Sequence, residues 1–285
     1  MNHFSYHQPG NIQEASAIAE SYQYQVKYLA GGTDLVVKLK GDAAGPRAVI
    51  DLKGIDELNG TIELHETDLT IGALALLSAI ESNPIVIEYF PALVEAVSSI
   101  GSVQIRNRAT IGGNICNASP AADSLPPLFI YEAKVLIISA SGSRTLPIND
   151  FILGPGSTAL REGEILAALQ IPIPATVQGS SFDRLTRRRG VDLATINICC
   201  QVVEGTNTVR FAVGAAAPVP FIVEDPSGIL LKANIDPEGA TKLINEMMNA
   251  AAPIDDVRAS KEYRQSMLTE LAKRTLARAL DQLKR

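Results

Sequence analysis

The segment Val26-Lys27-Tyr28-Leu29-Ala30-Gly31-Gly32-Thr33-Asp34-Leu35 decides the fold. A strand over 26–30 runs straight into paired glycines, and Leu35, Val36, Val37 and Leu39 after them are spaced for a short helix or an extended turn lying on the core. Paired glycines remove the Cβ barrier, so consecutive backbone N–H groups can converge on an anion while the chain approaches it closely. A diphosphate is the guest that suits such a turn. The segment matches neither G-x-G-x-x-G nor a Walker A lysine pattern. A second pair stands in Thr110-Ile111-Gly112-Gly113-Asn114, and each pair is flanked by a hydroxyl and a short polar side chain. Either pair alone reads more readily as a tight structural turn. The two together carry the functional reading.

Outward from these turns, Asn11 and Glu14 form a capping box for a helix carrying Ile12, Ala15, Ile18, Ala19 and Tyr22. Strands are expected at 48–52, a hairpin at 61–64 with 69–71, and helices at 75–81 and 87–100 with Pro84 as the breaker. Residues 101–123 read as one long functional loop. A helix after Pro120 and strands at 134–139 and 164–171 follow, the last closed by Pro172 and Pro174. Gln178 to Ser181 reads as a linker. Beyond it lie antiparallel strands at 182–186, 194–203 and 208–213 and helices at 238–252 and 260–285. Tyr263, Met267, Leu271, Leu276, Leu280 and Leu283 form the apolar stripe of the last helix. The class is α+β, with units at 1–55, 56–177 and 178–285.

With 285 residues, 46% apolar and 20% charged, the chain is an ordinary globular protein with its own core. A net charge of −6 disfavours a nucleic-acid footprint, which needs a basic excess. No run reaches the roughly 18 apolar residues of a bilayer span, and the first ten residues lack a signal-peptide layout, so a cytoplasmic location is expected. Cys116, Cys199 and Cys200 are too few for a disulfide framework, an all-cysteine zinc site or an iron-sulfur cluster. His3, His7 and His65 have no metal-ligand spacing, and there is no Trp. If the chain is an enzyme, a cofactor carries the chemistry. Cys199 and Cys200, adjacent in an apolar strand, should point to opposite faces.

Taken together, Ala30-Gly31-Gly32-Thr33-Asp34, the Gln104-Ile105-Arg106-Asn107 run leading into Thr110-Ile111-Gly112-Gly113-Asn114, and Ala118-Ser119-Pro120-Ala121-Ala122-Asp123 form a specific combination. With them, nearly the whole chain resembles the FAD-binding subunit of the xanthine dehydrogenase and carbon monoxide dehydrogenase group of molybdenum hydroxylases. The resemblance implies a two-subdomain FAD-binding PCMH-type (vanillyl-alcohol-oxidase-like) fold plus a C-terminal domain of antiparallel sheet and helices. It implies that Leu29, Ala30, Gly31, Gly32, Thr33, Asp34 and Leu35, with Thr110, Ile111, Gly112, Gly113 and Asn114, wrap the FAD diphosphate through backbone amides. Thr33, Thr110 and Asn114 would add side-chain bonds. By the same resemblance Asp123 contacts FAD, Leu166 approaches the flavin, Arg184 lies beside it, and Cys116 packs against the ring. The implied partners are a molybdopterin-binding large subunit, a 2Fe-2S small subunit, and NAD or another electron acceptor.

Several alternatives stay open on the residues. Asp123 also suits a helix-start cap, and Leu166 a core strand position. Gln104 to Asn107 either hold the loop's shape or help order the FAD. Arg187, Arg188 and Arg189 read as a solvated hairpin or as a docking patch for NAD or an acidic face. A self-sufficient flavin oxidoreductase, or an assembly subunit that has lost FAD, are the competing functions.

Overall fold

The computed structural model describes residues 3–41, 45–232 and 236–284. The chain opens with β1 (Ser5–His7), α1 (Ile12–Ser21), β2 (Val26–Leu29), α2 (Leu35–Gly41) and β3 (Ala48–Asp51). Helices between successive strands allow parallel pairing, and the sheet is parallel in the order β1-β3-β2. One half of the capping box of α1 forms as its sequence predicts: Asn11 Oδ1 accepts from the Glu14 N–H at 2.9 Å. The return bond falls one residue before the cap, where Glu14 reaches back to the Gly10 N–H. Ile12, Ala15 and Ala19 are buried with Ile50 and Leu52, and with Ile165 and Ala167 of a second sheet.

Next come β4 (Ile62–Leu64), β5 (Asp68–Gly72), α3 (Leu77–Ser82), α4 (Pro84–Tyr89), α5 (Pro91–Ser99), α6 (Val103–Arg106), α7 (Ile111–Cys116) and α8 (Leu125–Ile130). They are followed by β6 (Lys134–Ser139), β7 (Gly142–Pro147), α9 (Ile148–Phe151), β8 (Ile152–Gly154), β9 (Ser157–Thr158) and β10 (Ile165–Pro172). The sheet is antiparallel in the order β4-β5-β10-β6-β7, so the last strand is its centre. Two expectations change here. The helix expected over 87–100 is two helices, because Pro84 and Pro91 each open one, at a position whose N–H has no intrahelical partner in any case. The expected long loop contains α6 and α7. Arg106 shapes it from within, buried and bidentate on Glu81 with a further bond to the Ile100 carbonyl.

The remainder is β11 (Gln178–Leu185), β12 (Ile196–Val203), β13 (Val209–Gly214), β14 (Phe221–Asp225), α10 (Pro237–Met248) and α11 (Lys261–Leu283), the strands forming an antiparallel meander. Gln178 to Ser181 is not a linker but half of β11. A Cβ on Gly179 would lie 1.9 Å from the Ala279 carbonyl, so a glycine here lets α11 settle on the strand. In α11, Tyr263 is exposed, contrary to its place in the expected stripe. Arg264 is buried instead, donating to the Thr195 and Ala215 carbonyls and to Asp256 at 2.6 Å. Arg285, the expected end of this helix, lies outside the described residues.

Cys199 and Cys200 do face opposite ways. Cys199 is buried in the core of the antiparallel five-stranded unit and Cys200 in the core under α10 and α11. Glu95 of α5 pins the two units together, accepting from the Phe182 N–H at 2.6 Å and the Ser181 hydroxyl at 3.1 Å.

Candidate functional site

A cleft of about 460 Å³ opens between the parallel sheet and the five-stranded unit. Ala30, Gly31, Gly32, Thr33, Asp34 and Leu35 form one wall. Thr110, Gly112, Gly113 and Asn114 form another, and Leu166 of β10 closes the apolar end with Ile100, Cys116 and Leu160. The two glycine segments lie side by side: a Cβ on Gly31 would lie 2.0 Å from the carbonyl oxygen of Arg108, just before the second segment, and one on Gly113 would lie 3.9 Å from Ala30 Cβ. Gly32 adopts φ +79°, a backbone that only glycine takes without strain.

The two segments differ in what their amides do. Among the described residues, no backbone carbonyl accepts from the N–H of Gly31, Gly32, Thr33 or Asp34; the chain first turns back at Val36, whose N–H reaches Gly32 O at 3.0 Å. A row of unpartnered amides beside glycine is an anion-binding concavity. The second segment is the start of α7. Ile111 and Gly112 donate to Ala75 and Ala73, Asn114 to the Thr110 carbonyl, and Gly113 to Thr110 Oγ1 at 3.1 Å. These amides are committed within the protein, so this wall offers side chains and a close approach rather than an open amide row. Gly112 packs on Ala73, where a Cβ would meet Ala73 at 2.7 Å. Asn114 Oδ1 accepts from Ser124 at 2.6 Å, which leaves its amide nitrogen as a donor.

Four expected site residues are not on the cleft wall. Leu29 ends β2, and Ile111 is fully buried in the core. Asp123 and Arg184 pair with each other at 2.6 Å. Asp123 also accepts from Asn197 at 2.8 Å and from Ser99 at 3.3 Å, while Arg184 reaches the Asp192 carbonyl. Burial pushes the Asp123 carboxyl up against the pull of the Arg184 guanidinium and of these donors. Burial likewise pushes the Cys116 thiol up to about 12, so it meets the cleft as a neutral packing group.

Lys27 and Lys38 also line the cleft, and neither stood out in the sequence. Lys38 Nζ donates to Asn117 Oδ1 at 2.6 Å, tying α2 to the end of α7. A signal for Lys38 exists in its spacing, one helical turn after Asp34. Asp34 and Glu164 line the cleft as well, so the lysines balance its carboxylates and its affinity for an anion comes from the free amide row.

The FAD binding domain in molybdopterin dehydrogenase matches residues 2–174, and the CO dehydrogenase flavoprotein C-terminal domain matches residues 181–279. The chain belongs to the FAD-binding molybdopterin dehydrogenase family. Within that family it is similar to the xanthine dehydrogenase FAD-binding subunit of Escherichia coli O157:H7, 34% identical over 281 residues that span 97% of this chain and 96% of the relative. The carbon monoxide dehydrogenase medium chain of Hydrogenophaga pseudoflava is 32% identical over 276 residues, 96% of each. A solved carbon monoxide dehydrogenase from the same organism, lacking the Mo-pyranopterin moiety, superposes with a TM-score of 0.89 at 29% identity, over 99% of this chain and 98% of that one. The fold is therefore the family's FAD-binding domain followed by its flavoprotein C-terminal domain. No described helix is long and apolar enough to cross a membrane.

Proposed function

We propose that this chain is the FAD-carrying electron-transfer subunit of a multi-subunit molybdenum hydroxylase. A molybdopterin-binding large subunit would oxidise the substrate, and a 2Fe-2S small subunit would pass electrons to the flavin site. NAD or another acceptor would remove them. The observation that carries this reading is the row of unpartnered amides at Gly31, Gly32, Thr33 and Asp34, set in a cleft with two lysines and an apolar end.

The residues fit the cofactor. The amide row and Thr33 would hold the diphosphate, and Thr110, Gly113 and Asn114 would meet it from the facing wall. Leu166, Ile100, Leu160 and the neutral Cys116 would exclude water from the ring system. Leu29, Leu35 and Ile111 would fix the two walls, and Asp123 with Arg184 would support them from behind. When bound, FAD supplies the redox chemistry that these side chains lack. Residues 1–55 and 56–177 would embrace it and 178–285 would back it. A 2Fe-2S cluster takes four ligands, and this chain has three cysteines, two of them facing different cores, so the cluster belongs on a partner. The names of the similar proteins, a xanthine dehydrogenase subunit and a carbon monoxide dehydrogenase medium chain, support the division of labour.

The test is titration of the purified chain with FAD, followed by anaerobic addition of NADH. Expected are one flavin per chain and bleaching of its spectrum by NADH. A chain that takes no flavin, alone or co-expressed with its partners, sinks the reading. Flavin that ignores NADH but transfers electrons to another carrier removes NAD alone.

A further inference from the structure

The peptide that opens the first glycine turn is gripped from outside the cleft. Lys53 Nζ donates to the Ala30 carbonyl oxygen at 3.3 Å and to Asp51 Oδ1 at 2.6 Å. Asp51 is buried, its Oδ1 also accepts the Lys53 N–H at 3.0 Å, and its Oδ2 accepts from the Tyr6 hydroxyl at 2.5 Å. Burial pushes the Asp51 carboxyl up, but the bonds from Lys53 and Tyr6 outweigh it and hold the group below its ordinary value, as a carboxylate. The cluster follows from strand register. β2 and β3 run parallel with Leu29 opposite Asp51, so the residues just past both strand ends are neighbours.

In a planar trans peptide the carbonyl and the following N–H point in opposite directions. Ala30 O and Gly31 N–H are the two ends of one such unit, and the glycine on its far side leaves that unit freer to rotate than one between two Cβ-bearing residues. Whichever way the Ala30 carbonyl is held, the Gly31 N–H must point the other way. Lys53 does not line the cleft, whereas Ala30 and Gly31 do, and the Gly31 N–H has no acceptor among the described residues.

The geometry points to Lys53 as a positioning residue for the diphosphate: by holding the Ala30 carbonyl away from the cleft it aims the Gly31 N–H into it. This rests on the flavin-binding reading above. Asp51 and Tyr6 hold the lysine in place, and the ammonium contributes through the backbone rather than by touching the cofactor. Its side chain is 45% exposed, so substitution there opens no cavity, although Asp51, 4% exposed, is then left with the Tyr6 hydroxyl and the residue-53 N–H alone.

The test compares wild type, Lys53→Met and Lys53→Arg as full chains, by FAD titration of the apoprotein and by the Gly31 amide resonance in glycine-labelled samples before FAD is added. The methionine variant should bind FAD about ten-fold more weakly, the loss of a charge-assisted hydrogen bond discounted for exposure. Its Gly31 amide resonance should move, and its melting temperature should fall because the buried Asp51 carboxylate loses its cation. The arginine variant should restore both readouts. Wild-type affinity in Lys53→Met, or a Gly31 resonance that stays in place, overturns the assignment. If wild type itself takes no FAD, the flavin reading fails, and the Gly31 resonance still decides whether Lys53 sets the peptide.

Discussion

Gly31 stands where a larger residue has no room, with the Arg108 carbonyl 2.0 Å from where its Cβ would be. The obstacle is backbone, so relief requires the two cleft walls to part. Gly31→Ala should cost about 1–3 kcal/mol of stability, the range for overpacking a close contact. It should also weaken FAD binding, read by thermal unfolding and flavin titration. An alanine variant with wild-type values in both would show that the walls move freely. The Asp123 and Arg184 pair makes a second residue-scale case. With side chains 5% and 14% exposed, it is a buried pair whose disruption strands a carboxyl group. Arg184→Ala should cost about 3 kcal/mol in denaturant unfolding, the low end for breaking such a pair. A loss below about 0.5 kcal/mol, the scale of an exposed pair, would mean that Asp123 does not need its cation.

Among the elements, β11 and α11 meet backbone to backbone at Gly179, and that contact helps to explain why β11 was half hidden in the sequence. Gln178-Gly179-Ser180-Ser181 carries none of the apolar alternation of a strand, because its neighbours are the α11 backbone and the polar tips of Glu95, Tyr131 and Gln282 rather than apolar side chains. Gly179→Ala should lower the melting temperature while FAD affinity in the folded protein is kept; loss of FAD affinity without loss of stability would contradict a packing role. Strand and glycine turn at 26–34 were legible from strand pattern and turn chemistry, whereas 35–41 stayed open between helix and extended turn because its apolar residues do not share one buried face: Val36 and Val37 are exposed and only Leu39 is buried. Thr110 to Asn114 gave its glycines away but not its helix, since the Ala73 and Ala75 carbonyls that take its amides are distant in sequence. β7 and β14 were missed for want of a strong apolar alternation. Lys27 and Lys38 were invisible as cleft residues because only the fold brings a strand lysine and a helix lysine to the same cleft.

At the scale of the whole molecule, the charge network around Asp256 joins α11 to the segment that leads into β12. Burial alone would raise this carboxyl, but bonds from the Arg258 side chain and backbone and from Arg264 hold it well below the ordinary carboxylate range. Its folded form therefore binds a proton more weakly than the unfolded chain does. The stability it confers is complete above the unfolded carboxylate value of about 3.9 and drains away as pH falls toward the folded value. Asp256→Asn should be less stable than wild type near neutrality and should lose less melting temperature on acidification to about pH 3. Equal losses in the two proteins would remove Asp256 from the acid response.

Strand β12 supplies one wall to each of two cores, with Cys199 on one side and Cys200 on the other. Burial holds both thiols far above the range in which they react. The chain thus carries two chemically identical reporters, one residue apart, that sense different compartments. Under mild denaturant an alkylating reagent would record which half of the protein opens first, and equal labelling would reveal a single cooperative unit.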